Sequence, residues 1–484
     1  MNKTIEELHS LLLSGKITTD ELINDATKKA NEVQNRYNAF VTILDNPKKS
    51  DVTDKLLSGI PFGVKDNYST KGILSTASSN TLKDYVPIFN ATAIDNLLKN
   101  GAIIASKTTM DEFGMGGSGI TAATGITKNP WDTSRIAGGS SCGSAVAVAT
   151  GVYPYALGSD TGDSIRKPAA FCGIVGFKPT YGMISRYGLF PFASSLDTCG
   201  CLTRSVKDAA IVVDAMKGKD ENDLTSWDSS NINLYESIDG NVKGKKLFYI
   251  KELLDINNYP NADDMLKEHF KMFFKSIERL KSIGVIVDEV SIDKELLMGI
   301  PSVYTCISCA EATSNMSNLT GIIFGPRSNK DNYKDMMKDY RSKGFSSLIK
   351  RRFVIGSFVL QKENQEKYFV NAQRLRRLIV DKVKDLFKTY DGYITPVSSG
   401  VAPKLKDIKE CVKNDFNEVL ESNLQIANFG GFPSITIPNG FIDKLPIGIN
   451  ITGNCYDDAN ILNIAYALES QMKYKNMIAG EYHE

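Results

Sequence analysis

The chain has 484 residues, 57 of them Lys or Arg against 56 Asp or Glu, for a formal net charge of +1. That length accommodates two or three domains or one large α/β enzyme domain, and 42% hydrophobic with 23% charged residues is the balance of a globular protein with a sizeable core. The even charge excludes a broadly basic nucleic-acid surface. The three histidines, His9, His269 and His483, lie so far apart that a histidine triad or a His-ligated zinc site would rest on one isolated residue.

From the start, Met1 to His9 lacks the apolar run of a secretory signal. Residues 1–58 read as a helical segment packed on the core: apolar positions recur at helical spacing over Ile5–Leu13, and Thr18 with Glu21 makes a capping box for a helix reaching about Gln34. Between Gly59 and Gly200 the character changes. Of the 38 glycines, 20 fall there, and only Lys128, Asp132 and Arg135 carry charge between Phe113 and Ser159. Backbone freedom in a region that avoids charge points to a buried site built from main chain. Strand-like runs (Ala102–Ala105, Tyr153–Leu157) alternate there with helix-like ones (Ala91–Lys99, Gly143–Thr150). The uncharged stretch from Ile136 to Ser159 is long enough to span a bilayer, but its many Gly, Ser, Thr and Pro residues argue against a membrane helix.

Beyond Lys207 the chain is more charged, with long amphipathic helices expected over Asp263–Ile283 and Asn364–Lys388, a loop over Asp220–Asn241, and closing strands over Ser434–Pro438 and Ile447–Thr452. Cysteines 142, 172, 199, 201, 306, 309, 411 and 455 are scattered rather than framework-like, so reduced thiols and a cytoplasmic location are expected. The pair in Cys306-Ile-Ser-Cys309 has no second pair to complete a zinc site. The expectation is a core of 59–484 forming one α/β domain: a catalytic part over 59–207, helical insertions with substrate contacts over 208–430, and closing strands and a helix over 431–484.

Three segments concentrate the chemistry: Gly63-Val-Lys65-Asp-Asn67, Gly138-Gly-Ser-Ser-Cys-Gly-Ser-Ala145 and Gly158-Ser-Asp-Thr-Gly-Asp-Ser-Ile-Arg-Lys-Pro-Ala169. They offer a lysine in an apolar setting, a serine pair opening a small-residue helix, and a serine in a tight turn. Lysine serves as a base only when burial or a positive dipole lowers its pKa. Serine becomes a nucleophile when a neighbour takes its proton, and consecutive N–H groups in a turn can hold an oxyanion. Together they could run acyl transfer without histidine. Gly114-Met-Gly-Gly-Ser-Gly119 also fits the dinucleotide pattern GxGxxG, but no clear strand precedes it and no ribose-binding acid follows. No GxxxxGK[ST] phosphate loop is present.

The three segments resemble the amidase signature family, whose usual pattern reads Gly-Gly-Ser-Ser-Gly-Gly-Ser and Gly-Ser-Asp-Thr-Gly-Gly-Ser-Ile-Arg. The likeness extends through Asn129-Pro-Trp-Asp132, Val175-Gly-Phe-Lys-Pro-Thr180, Ser195-Leu-Asp197 and Pro446-Ile-Gly448. It implies a mixed central β-sheet covered by helices on both faces, with Lys65 as general base, Ser140 as proton relay after a non-prolyl cis peptide, and Ser164 as acyl-ester nucleophile. The N–H groups of Thr161, Gly162, Asp163 and Ser164 would form the oxyanion hole. Two positions depart from the pattern: Cys142 and Asp163 each stand where the family has glycine. Asp tolerates positive φ, and Arg166 is the neighbour expected to hold its carboxylate away from the oxyanion.

Within the family, Tyr181-Gly-Met-Ile-Ser-Arg-Tyr-Gly-Leu-Phe-Pro191, Glu311-Ala-Thr-Ser-Asn315, Lys350-Arg-Arg-Phe353 and Gly356-Ser-Phe358 most resemble the A subunits of tRNA-dependent amidotransferases. This likeness implies glutamine as substrate, with Tyr304 and Arg352 on its amino-acid head and Glu421 on its α-amine. It also implies partner subunits B and C, a mischarged Glu-tRNA(Gln) or Asp-tRNA(Asn) held by the partner, and ATP with Mg2+ there too. No cofactor or metal is expected on this chain itself. A stand-alone amidase on small amides, or a catalytically inactive assembly subunit, are the alternatives left open.

Overall fold

The computed structural model describes residues 1–408 and 415–480; Cys411 and His483 lie outside the described residues. Eleven strands form one sheet: β1 Phe40–Ile43, β2 Pro61–Lys65, β3 Ile103–Thr108, β4 Tyr155–Asp160, β5 Val175–Lys178, β6 Thr198–Thr203, β7 Lys246–Ile250, β8 Ile286–Val290, β9 Gly392–Pro396, β10 Ser434–Ile442 and β11 Leu445–Gly453. Their order across the sheet is β1-β3-β2-β4-β6-β5-β10-β11-β9-β7-β8. Parallel pairs (β2 with β3 and β4, β7 with β8 and β9) sit among antiparallel ones, so the sheet is mixed. Every residue of β2, β4, β5, β6, β9 and β11 is buried, which requires cover on both faces. The architecture is thus a large α/β sheet with helices around it.

The first helix spans Ile5–Leu13, and the second, Thr19–Tyr37, opens on the Thr18–Glu21 capping box. The helical stretch expected over 1–58 gives way after Tyr37. Asn38 adopts a left-handed φ of 56°, which ends the helix, and β1 then pairs with β3 at the sheet edge. The expected helices recur as Thr92–Lys99, Cys142–Ala149 and Asp264–Ser282. The single helix expected over Asn364–Lys388 is a succession, with a π-helical turn at Glu366–Val370 between Lys362–Gln365 and Asn371–Leu386. At the end of the chain β10 and β11 form a hairpin whose tip, Asp443-Lys444, has φ of 50° and 65°, the signs a two-residue type I′ turn demands. Pro438 is accommodated in β10 because the register shifts between it and Gly440. Among the described residues, no helix is long and apolar enough to cross a membrane.

What positions the site is the junction of β2 and β4, the third and fourth strands across the sheet. Gly63 of β2 pairs in parallel with Ala156 of β4, so the carboxyl ends of the two strands, Lys65 and Ser159-Asp160, emerge side by side. The helix Cys142–Ala149, every residue buried, packs against β2, β3 and β4. It comes this close only because position 143 is glycine. A Cβ there would lie 2.2 Å from the carbonyl oxygen of Ala39 and 2.6 Å from the backbone nitrogen and oxygen of Thr109. Backbone cannot yield as a side chain does, so Gly143→Ala should destabilise the fold by about 1–3 kcal/mol through overpacking. A urea-unfolding midpoint equal to that of the parent protein would contradict this.

Candidate active site

Lys65 ends β2 with its side chain fully buried. Its Nζ lies 2.8 Å from Ser140 Oγ, 2.9 Å from Ser141 Oγ, 2.8 Å from Ser159 Oγ and 3.1 Å from the Ser159 carbonyl oxygen. The Gly139–Ser140 peptide is cis. The Ser141 N–H donates to the Ser164 carbonyl at 3.1 Å, which joins the serine pair to the turn that carries Ser164. The three segments singled out in the sequence therefore meet at one place.

Burial is the main influence on Lys65 and lowers its pKa to about 8; Cys142, Asp160, Asp111 and Asp197 act in the opposite sense. Cys142, in the family's glycine position, is itself pushed up to about 12 by burial, and its thiol donates to the Thr109 carbonyl. Near neutral pH it is an uncharged small side chain packed at the helix start, and the lysine's contacts within hydrogen-bond reach are neutral oxygens.

The turn is organised by a pair that the sequence does not announce. Asp160, at the end of β4, accepts from Arg166 Nη2 at 2.9 Å and Nε at 3.1 Å, from the Ile165 N–H at 2.9 Å and from Asn428 Nδ2 at 2.9 Å. Arg166 also donates to the carbonyls of Gly162 and Leu424 and to Asn428 Oδ1. Desolvation would raise the Asp160 pKa, but Arg166 and these hydrogen bonds outweigh it and bring it down to about 2. Arg166 is therefore committed to Asp160, not to Asp163 as expected. The side chain that meets Asp163 is Lys167, Nζ to Oδ2 at 2.8 Å, because i,i+4 spacing places them on one face of the incipient helix. Asp163 is also absent from the residues with positive φ. The turn asks no left-handed backbone of it, which is why an aspartate fits where the family has glycine.

Among the described residues, the N–H groups of Thr161, Gly162, Asp163 and Ser164 donate to no acceptor in the chain. The Thr161 hydroxyl donates to Asp197 at 2.6 Å. Burial raises the Asp197 pKa to about 6. Gly162 is required by contact: a Cβ would sit 2.9 Å from the ring of Tyr304. Tyr304 thus lies against the turn. The Arg352 guanidinium lies 5.4 Å from the ring centroid of Phe192, and its Nε has no hydrogen-bond partner among the described residues. Phe192 is tied to the turn through Asp197, which accepts its N–H at 2.8 Å. Glu421, on the helix Phe416–Ser422, accepts from the Ser399 N–H and hydroxyl, both at 2.7 Å, and its Oε2 is 3.3 Å from Lys167 Nζ.

Asp111 is the other residue missed. Its two oxygens accept the N–H groups of Gly117, Ser118, Gly119, Ile120 and Thr121, and its own N–H donates to the Ser140 carbonyl at 3.1 Å. The GxGxxG-like loop therefore points its amides at a carboxylate of the chain, not at a phosphate, and supports Ser140. The signal in the sequence is an acidic pair, Asp111-Glu112, just before a glycine-rich, otherwise uncharged run. Neither His9, whose Nε2 lies 2.8 Å from the Thr53 carbonyl, nor His269, buried on the helix Asp264–Ser282, is hydrogen-bonded to Lys65, Ser140 or Ser164. Among the described residues no three His, Cys, Asp or Glu side chains cluster as a metal site would need.

The amidase family model matches residues 21–462. The chain is 37% identical to the A subunit of the glutamyl-tRNA(Gln) amidotransferase of Geobacillus thermodenitrificans, with 97% of each chain covered. To the A subunit of the same enzyme from Lacticaseibacillus paracasei it is 39% identical, covering 99% of this chain and 98% of that one. The crystal structure of the A subunit of the Thermotoga maritima glutamyl-tRNA(Gln) amidotransferase superposes with a TM-score of 0.82 at 33% identity, covering 98% of this chain and 96% of that one. The peptide amidase of Stenotrophomonas maltophilia, at 24% identity and a TM-score of 0.79 over 99% of this chain and 98% of that one, shares the fold. A buried lysine joined to two serine motifs, on a sheet matched over its whole length, places this chain in the amidase family.

Proposed function

We propose that the chain is the glutaminase component of a tRNA-dependent amidotransferase, releasing ammonia from glutamine for a partner subunit that amidates Glu-tRNA(Gln) or Asp-tRNA(Asn). The observation that carries the reading is the 2.8 Å contact of buried Lys65 Nζ with Ser140 Oγ, beside the turn that presents Ser164. The near-full-length likeness to several amidotransferase A subunits supports the assembly. The complex would be a cytoplasmic heterotrimer with subunits B and C, and ATP, Mg2+ and the tRNA would belong to the partner.

In this mechanism neutral Lys65 accepts a proton through Ser140 as Ser164 Oγ attacks the side-chain amide carbon of glutamine. The developing oxyanion rests on the free amides of residues 161–164. The proton returns to the leaving nitrogen, ammonia departs, and water then hydrolyses the γ-glutamyl ester by the same relay. Arg352 suits the α-carboxylate, because a guanidinium forks onto it, and Tyr304 borders the turn where the amide must lie. Glu421, expected on the α-amine, already meets Ser399 and Lys167 within the chain, and we assign it to those contacts.

Four outcomes test the reading. Ser164→Ala should abolish glutamine hydrolysis in the assembled complex, and wild-type turnover would overturn the assignment. A base must be unprotonated, so kcat/KM should climb with pH and level off above about 8. A profile flat through that range would exclude Lys65 as the base. Lys65→Arg keeps the charge but cannot deprotonate, and should cost roughly 10²–10⁴-fold in kcat. Co-expressed with its genomic neighbours, the chain should show glutaminase activity stimulated by mischarged tRNA and ATP. Full activity of the lone chain, on simple aliphatic amides as readily as on glutamine, would instead make it a free-standing amidase.

A further inference from the structure

Asp163 stands immediately before Ser164, and its own N–H belongs to the set assigned to the oxyanion. A carboxylate attached at that point opposes the negative charge that must develop beside it. The cation nearest in sequence, Arg166, is held by Asp160. The Asp163 carboxylate is instead turned toward Lys167, at 2.8 Å, and the Lys167 N–H donates to the Asp163 carbonyl at 2.8 Å, so one helical turn fixes both partners. Lys167 is braced from the other side: its Nζ donates to the Glu421 carbonyl at 2.8 Å and lies 3.3 Å from the Glu421 carboxylate, which Ser399 holds through two bonds of 2.7 Å. The side chains of Lys167 and Asp163 are 12% and 16% exposed, so solvent screens the pair little. Burial works against charge on Lys167, but Asp163 and Glu421 outweigh it and raise its pKa.

We propose that Lys167, braced by Glu421, is a positioning residue that holds the Asp163 carboxylate away from the oxyanion and cancels its charge, which lets the turn work with an acid next to the nucleophile. The inference rests on Ser164 being the nucleophile, but not on which amide is cleaved. It assigns Glu421 to the clamp.

The test compares wild type, Lys167→Gln, Lys167→Arg, Asp163→Gly and the double variant Asp163→Gly/Lys167→Gln, each in the assembled complex with glutamine. Their urea-unfolding midpoints are measured in parallel. Lys167→Gln should lower kcat roughly 10-fold with KM nearly unchanged, and Lys167→Arg should retain most of the activity. In the Asp163→Gly background the same glutamine substitution should have almost no effect, because the charge it would expose is gone. An equal loss in both backgrounds, or a rise in KM alone as expected of a direct substrate contact, overturns the clamp. The rate at which phenylmethanesulfonyl fluoride labels Ser164 is read in the same proteins and should follow the same pattern. A folded wild type that neither turns over an amide nor takes the label at Ser164 overturns the nucleophile assignment, and the clamp with it.

Discussion

The ammonium of a lysine loses most of its hydration when it is enclosed, and Lys65 Nζ is enclosed by oxygens that carry no charge: two from Ser159 and one each from Ser140 and Ser141. The fall from 10.5 to about 8 corresponds to about 3 kcal/mol of lost preference for the charged form. Everything around the site maintains that enclosure. The parallel pairing of β2 with β4 brings Lys65 to Ser159, and the absent Cβ of Gly143 lets the serine-capped helix approach. Asp111 gathers the amides of 117–121 into a loop under Ser140. The strong charges, Asp160 and Arg166, neutralise each other within the turn.

Among the described residues two other lysines are fully buried, and the comparison shows why a shifted pKa alone does not find a base. Lys178 is brought lower, to about 7, by burial first and then by Arg166, yet its hydrogen bond is to the carbonyl of Pro179. Lys107, brought to about 8 by burial, binds the Tyr68 carbonyl, Thr70 and Ser75, and lies 3.8 Å from Asp66, so it fastens the segment that follows β2. Only Lys65 of the three touches a hydroxyl whose neighbour bonds the Ser164 backbone. Position beside the two serine motifs, not basicity, distinguishes Lys65 from the other two lysines.

Local chemistry was legible in the sequence where residues near in the chain decide the outcome. The Thr18–Glu21 capping box, the helix Ile5–Leu13 and the glycine-rich, charge-poor region around the site are of this kind. The meeting of Lys65 with the Ser140 and Ser164 motifs, 75 residues and more away, was legible only through the resemblance to the amidase signature pattern. Other long-range choices were not. Nothing near Asp160 or Arg166 says that they would choose each other over Asp163, because Asn428 and the Leu424 carbonyl, more than 250 residues away, complete the guanidinium's surroundings. The pairing of Phe40–Ile43 with β3 and the placement of β5 beside β10 likewise depend on partners distant in sequence. The contacts of Glu421, Ser399 and Lys167, also come from two other segments of the chain.

In the proposed mechanism, burial makes Lys65 the base that lets Ser164 form an acyl ester. Rapid acid quench during glutamine turnover, followed by mass mapping of the peptide that contains Ser164, tests it directly. The wild-type complex should carry a γ-glutamyl ester on Ser164, and Lys65→Met, in a protein that still folds and assembles, should carry none. An adduct on another residue, or an undiminished Ser164 ester without Lys65, would contradict it.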